Sequence, residues 1–291
     1  MHDRSGPPAT ILIQPMAPGF LAVLAEPGDQ VSLDEFHDWY DNEHIPLRLN
    51  HLPSFLSGAR YQSRDDIKPS WIAVYEIDDI KSFTDPSYTV LRETRSQREE
   101  DVIRRLEVLD RRTCEVVREV EDLANSARTT GLRVGNPSRW VVTHGVGGRL
   151  GDGGDADEEK EFREVQKWLT AIVEKLESHG NPAEGWVKTR VLKVLESGKT
   201  GTNLGEEQSL LSYLVFHGKC ILFFSTLIVY FYSLSFWGVE FISEESANSI
   251  KYKIINLKKN FKQPLRFSEF RKWELYKSYP CVAQGNVHLE A

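Results

Sequence analysis

The chain has 291 residues, 40% of them hydrophobic and 27% charged, the profile of a globular protein of one large or two ordinary domains rather than of a disordered chain. A formal net charge of -7 and a sequence pI of about 5.7 speak against a phosphate-neutralising surface, so no nucleic-acid partner is expected. The three cysteines, Cys114, Cys220 and Cys281, are too few and too far apart for a disulfide framework or a zinc knuckle, and a reducing, cytoplasmic setting is expected.

Residues 1–18 hold Pro7, Pro8, Pro15 and Pro18 around an apolar run too short for a signal-peptide core. They read as a flexible leader, with Met16 as an alternative start. FLAVLAEPG, from Phe20, is an apolar run stopped by Pro27-Gly28 and predicts a strand. Ser32-Leu-Asp-Glu35 has the spacing of a capping box and predicts a helix from Ser32. This helix carries Leu33, Phe36, Tyr40 and His44, and Pro46 predicts its end near His44, because the residue before a proline is pushed out of the α region. Residues 55–63 and 69–77 predict two strands, residues 86–98 a second helix and residues 103–117 a fourth strand. The sum, βαββαβ over 19–118, is the ferredoxin-like split unit.

The second half, 139–291, repeats this order in diverged form after a Ser-, Thr-, Asn- and Gly-rich linker at 119–138. RWVVTHGV from Arg139 stands where FLAVLAEP stands, and residues 158–178 are helical in pattern. WVKTRVLKV from Trp186 matches FLSGARY, with Arg190 opposite Arg60, and SYLVFH from Ser212 matches SWIAVY. RKWELY from Arg271 matches RRLEVL from Arg104, which sets Cys281 opposite Cys114. The fold class expected is α+β: two tandem ferredoxin-like units forming one α/β barrel, the second unit interrupted.

The interruption is residues 219–266. Residues 220–239 form an uncharged, aromatic-rich run long enough to span a bilayer. A single crossing there would strand the two adjoining strands on opposite sides of the membrane. Phe, Tyr, Ile, Asn and Lys make up about half of the insert, an AT-rich codon bias, and Gly218-Lys219-Cys220 can be encoded with a GTAAGT splice donor inside it. The insert is therefore read as a translated intron, with no membrane partner unless 220–239 is a genuine span; a membrane or amphipathic element and a genuine buried hairpin or helix are the alternatives.

FHDWYDNEHIPLRLNHLPSFLSGARY, residues 36–61, resembles the signature of EthD-type proteins of the dimeric α/β-barrel superfamily, in particular their tandem fungal versions; Trp39, Tyr40, His44, Pro46 and Leu47 carry the core of the likeness. The resemblance implies sheet-to-sheet pairing of two ferredoxin-like units and ligand clefts between each sheet and its helices. It also implies activities ranging from cofactor-free oxygenation, cyclisation and decarboxylation to haem binding, or no chemistry at all. The second half lacks the His-x-Pro ending, so the site is expected in the first unit only.

Within that unit His44 is the expected acid/base and Tyr40, one turn earlier, its companion in one cleft. The bland alternative for His44 is a cap on the last helical carbonyls. Arg60 or Arg48 would anchor an anion through the planar guanidinium, or else pair on the surface with Asp65 and Asp66. Phe36, Trp71 and Tyr75, with Trp39, would supply apolar walls or ordinary core. His37, Asp41 and His44 lie on one stripe, but three ligands on one straight helix rarely converge, and no metal is expected. His144 and His217 are expected in the core or lining a pocket of the second unit. Gly145-Val-Gly147-Gly148 lacks the third glycine of a dinucleotide loop, since Leu150 holds that place, and Gly198-Lys199-Thr200 lacks the first glycine of a phosphate loop.

The function expected is a cofactor-independent tailoring enzyme acting on a small aromatic or polyketide-like molecule. A non-catalytic barrel holding a small apolar ligand is the alternative, and a haem-binding barrel with His44 as proximal ligand is the third reading. The oligomer expected is a monomer with an internal pseudo-dimer, or a homo-oligomer.

Overall fold

Strands that are apolar along their whole length, rather than at alternate positions, must be covered on both faces. A computed structural model describes residues 16–121, 123–147, 155–177, 186–203, 213–219 and 266–287, and it covers them in this way. The elements run β1 (Gly19–Glu26), α1 (Leu33–Trp39), a π-helical turn (Tyr40–His44), α2 (Pro46–Leu49), β2 (Phe55–Ser63), β3 (Trp71–Ile77), a 3-10 turn (Ile80–Phe83), α3 (Pro86–Glu93), α4 (Gln97–Arg105) and β4 (Val108–Glu121). They continue with α5 (Leu123–Ser126), β5 (Trp140–Gly147), α6 (Asp155–Glu177), β6 (Trp186–Thr200), β7 (Tyr213–Lys219) and β8 (Arg266–Tyr279), followed by a last 3-10 turn (Val282–Gln284). The protein is α+β, with eight antiparallel strands closed into a barrel in the order β1-β3-β2-β8-β5-β7-β6-β4. Within each run of four strands the spatial order is fourth, first, third, second. The connection between β7 and β8, which contains most of the 219–266 insert, lies outside the described residues. No helix of the described residues is long and apolar enough to cross a membrane.

Three apolar clusters result. Phe20, Ala22, Tyr61, Val74, Leu214, Phe216 and Trp273 fill the barrel. On the outer face, Leu21, Val23, Ala73 and Tyr75 meet Phe36, Trp39 and Val102 of the first helix layer, and Val146, Val191 and Val215 meet Val165 and Trp168 of α6. The connector between the halves closes one barrel end: Leu132 joins the interior cluster, and the Ser138 carbonyl accepts the Tyr61 hydroxyl at 2.9 Å.

Several local expectations need correction. The helix from Ser32 starts as expected, with Ser32 Oγ accepting the Glu35 N–H at 3.2 Å, but it does not end before Pro46. Tyr40–His44 widens into a π turn closed by an Ile45 N–H to Tyr40 C=O bond of 3.0 Å. Ile45 stays in the α region (φ -74°, ψ -48°) and α2 follows directly. Pro46 is tolerated because it opens α2, where no N–H is required. The second helix is two, α3 and α4, and the fourth strand starts at Val108, so Arg104 and Arg105 are helical and are not the equivalents of Arg271 and Lys272 in β8. Cys114 pairs with Phe20 inside the barrel wall, whereas Cys281 lies beyond the end of β8. Gly198-Lys199-Thr200 is paired strand.

Arg60 and Arg190 are not equivalent either. Arg60 points outward beneath α1, where its guanidinium lies 4.2 Å from the Tyr40 ring. Arg190 points into the barrel, 5.8 Å from the Phe20 ring. In the pairing with β7 Arg190 stands opposite Phe216, as Ala59 stands opposite Val74 of β3, so Val191 holds the place of Arg60; an offset of one residue puts a side chain on the other face of a sheet.

Candidate functional site

The π turn decides what the first helix presents. Such turns insert one residue into the helical ladder and re-aim the side chains around it. Tyr40 and His44 face the same buried layer, with ring centroids 5.1 Å apart and nearly perpendicular. Trp39 lies 4.6 Å from the imidazole and 4.5 Å from the Tyr40 ring, so the three rings form one triangle. His44 is 7% exposed and Tyr40 1%.

His44 does not cap a helix. Its Nδ1 lies 2.6 Å from Oε1 of Glu99, on α4, a fully buried residue. Burial, then the positive charge of Arg48, lower the imidazole pKa to about 4, against the upward pull of Glu99. For Glu99 burial acts upward, but the bond from His44 and the charges of His44, Arg48 and Arg95 prevail and its pKa falls. A neutral imidazole beside a charged carboxylate is the consistent state, and it fixes the tautomer: Nδ1–H donates to Glu99 and Nε2 carries a lone pair. Nε2 has no hydrogen-bond partner among the described residues.

Arg48 lies on the same side. Gly58 makes room for α2 on the sheet, since a Cβ there would meet Leu49 Cδ1 at 2.8 Å. This brings Arg48 into the layer, where its Nη1 donates to the His44 carbonyl at 2.5 Å. Arg48 is 5% exposed and forms no ion pair among the described residues. A cation buried without a carboxylate partner is costly. The surrounding polar atoms are also unsatisfied: of seven buried side-chain polar atoms without a partner among the described residues, five are Trp39 Nε1, Tyr40 OH, Tyr75 OH, Glu99 Oε2 and Arg95 Nε. Burial pushes the Tyr40 phenol up to about 12 and raises Tyr75 further, with Arg48 and Arg60 pulling both down. Native structures leave few such atoms, and their concentration marks a place adapted to something other than packing.

The other expected residues form an adjoining stack. Arg60 is almost fully buried among the rings of Phe36 (5.0 Å), Tyr40 (4.2 Å), Trp71 (5.4 Å) and Tyr276 (5.0 Å). It pairs with Asp41 at 3.0 Å and lies 3.0 Å from His37 Nδ1; its partners are therefore not Asp65 and Asp66, and Asp65 holds Arg271 instead. Asp41 also accepts from Lys277 (2.9 Å) and Tyr279 (2.5 Å) of β8, so the last strand grips the middle of the π turn. His37 and Asp41 thus face Arg60 while His44 faces Glu99, and the stripe divides between two networks. His144 is buried under α6 against Trp168 (5.2 Å) and Phe270 (5.6 Å). The His217 side chain lies outside what is described.

The residue of this candidate site that sequence reasoning missed is Glu99. Its only local signal was Ser96-Gln-Arg-Glu99, a second capping-box spacing. Ser96 does cap α4, accepting the Glu99 N–H at 3.0 Å, but the Glu99 carboxylate turns to a histidine 55 positions away.

The sequence matches no family profile and no curated protein. Among solved structures, a candidate monooxygenase from Fusobacterium nucleatum subsp. nucleatum is similar over 91% of this chain and 95% of its own, at 9% identity and a TM-score of 0.47. An anthrone oxidase-like protein is similar over 91% and 94%, at 7% identity and TM-score 0.43. A candidate chlorite dismutase is similar over 89% and 95%, at 11% identity and TM-score 0.45. At these values none of the three lends its chemistry to this chain.

Proposed function

We propose that the chain is a cofactor-independent tailoring enzyme of EthD-like type, acting on a small aromatic or polyketide-like molecule by proton abstraction. The barrel is read as two fused ferredoxin-like units, 19–118 and 139–291, joined by 119–138; the strand order of each half supports this reading. The observation that carries the function is the His44–Glu99 pair beside an unpaired, buried Arg48. In the proposed reaction Nε2 of His44 takes a proton from carbon next to a carbonyl, or from a phenol. Glu99 holds the imidazole in the required tautomer and stabilises the imidazolium that forms. The enolate or phenolate oxygen left behind is received by Arg48, with the Tyr40 and Tyr75 hydroxyls as neutral donors. The enolate carbon then attacks a second carbonyl of the same molecule, and the alkoxide formed takes the proton back from Nε2, or the enolate gives an electron to dioxygen and recombines with the superoxide to a peroxide anion that takes that proton. Entry requires a movement of α4 on α1 that keeps the His44–Glu99 bond; the seam is held besides by Arg105 with Glu35 and by the more exposed contacts of Arg98 with Asp38 and Ser96 with Glu43.

The test is hydrogen–deuterium exchange at activated carbon in a panel of aromatic ketones and β-polyketone analogues, followed by NMR. Exchange in the wild type that is lost in His44→Gln supports the proposal. Exchange that survives His44→Gln removes His44 from the mechanism.

The alternative, a barrel that binds a ligand without chemistry, is favoured by one observation: the His44 layer is closed, and a ligand-sized space lies elsewhere. The residues around His44 do not fit a haem. Trp39 and Tyr40 pack against the ring, Glu99 bonds its Nδ1, and 7% exposure leaves no room for a macrocycle at its face.

A further inference from the structure

A second place in the molecule has the size and chemistry of a ligand site. At the barrel end closed by the connector there is a cavity of about 470 Å³, within the range of small-molecule sites. Its floor is apolar: Phe216 and Leu132 belong to the barrel interior and Val187 adjoins them. At its rim stand Ala127 and Leu123, the latter 75% exposed.

One polar group at the floor is held rigidly. Arg190, 8% exposed, donates from Nε to Glu119 at 2.6 Å and from Nη2 to Glu76. Glu76 is itself fixed by the Ser57 hydroxyl at 2.5 Å. A guanidinium has five N–H donors. Two are used here, and Nη1 has no partner among the described residues. Lys188 pairs with Glu119 and Glu121. Arg190, Lys188 and the exposed Arg133 line the cavity with Glu76 and Glu121, and Glu119, which bonds both Arg190 and Lys188 from outside the lining, brings the neighbourhood to charge balance. A ligand anion would gain no net field there, whereas a neutral acceptor gains a preorganised donor in an apolar setting.

We propose that this barrel-end cavity is a second binding site, separate from the His44 layer, for an uncharged aromatic carbonyl compound of about naphthalene size. The rings lie against Phe216, Val187 and Leu132, and the carbonyl oxygen accepts from Arg190. The site stands whether or not His44 is catalytic.

The probe is 6-propionyl-2-(dimethylamino)naphthalene, a neutral naphthyl ketone whose emission moves to the blue in an apolar site, titrated into the full chain. Saturable binding is expected, with a blue shift. Ala127→Trp, which fills the mouth without removing a side-chain hydrogen bond, should weaken it at least tenfold with an unchanged circular dichroism spectrum. Leu123→Trp, at an exposed rim position, repeats the block should Ala127→Trp fail to fold. Arg48→Met, in the other layer, should leave affinity within twofold. No saturable binding, or binding indifferent to both tryptophans, overturns the site; tighter binding of 1-anilinonaphthalene-8-sulfonate than of the ketone overturns the uncharged class. Loss of binding in Arg48→Met would place the probe in the His44 layer and equally overturn it.

Discussion

His44 and His144 occupy corresponding layers on opposite sides of the barrel, each beneath a helix, and burial lowers both to a pKa of about 4. Their surroundings differ. His144 is set among Trp168 and Phe270, with the Gly145 carbonyl 3.5 Å from Nδ1. His44 is set among a carboxylate, an arginine and two phenols. Burial lowers the imidazole pKa in both places. What separates a candidate base from a core side chain is a partner that orients one nitrogen and a cation placed to receive the charge that the other nitrogen creates.

The comparison breaks first on catalysis. In the exchange assay, His44→Gln should lower the rate by about 10²-fold or more, while His144→Phe should change it less than about threefold, as expected of a residue remote from the reacting atoms. Equal losses would mean that both layers serve only the fold. Glu99→Gln should cost about 10²-fold, because the amide no longer fixes the tautomer or offsets the imidazolium charge.

Arg48 sharpens it. Arg48→Met should lower the exchange rate about 10- to 100-fold and yet change stability in chemical denaturation by no more than about 1–2 kcal/mol, since the desolvation of the cation that is relieved offsets its lost attraction to Glu99. A large loss of stability would show that Arg48 holds α2 rather than awaits an anion.

Acid stability tests what the two histidines share. Between pH 6.5 and about 4 both are neutral when folded and protonated when unfolded, and His37, lowered by burial and by Arg60, acts in the same sense. The unfolded chain binds more protons across this window, so stability rises with pH: it is complete above 6.5 and lost as the pH falls toward 4. Each of the two contributes up to about 3 kcal/mol over the window. His144→Phe should flatten the measured slope, and an unchanged slope would mean that His144 is not neutral in the fold. The smallest effect concerns the grip of β8 on the π turn: Tyr279→Phe removes one bond to Asp41 and should cost about 1 kcal/mol in denaturation.

Much of this arrangement was legible locally. Ser32 as a cap, the strands starting near Phe20, Phe55 and Trp71, and the placing of Tyr40 and His44 on one buried face all follow from patterns within four residues of each other. What misled was also local. Pro46 signals a stop, but a π turn, set by the packing of Trp39, Tyr40 and His44 and by the bonds to Asp41, carries the chain through it. Matching Arg190 to Arg60 by letter was off by one strand position, since Val191 holds the place of Arg60, and register is set by pairing with other strands.

The sequence by itself determined the element order, a core apolar on both strand faces, and a phenol and an imidazole one turn apart. Those depend on covalent spacing and side-chain polarity, which travel with the chain. Tertiary structure alone decided that Glu99 meets His44, that Arg48 is buried beside them without a direct ion pair among the described residues, that β8 holds Asp41, and that the connector leaves a cavity at the barrel end. Each of these joins residues far apart in sequence, and their energies come from desolvation and register, which exist only once the barrel has closed.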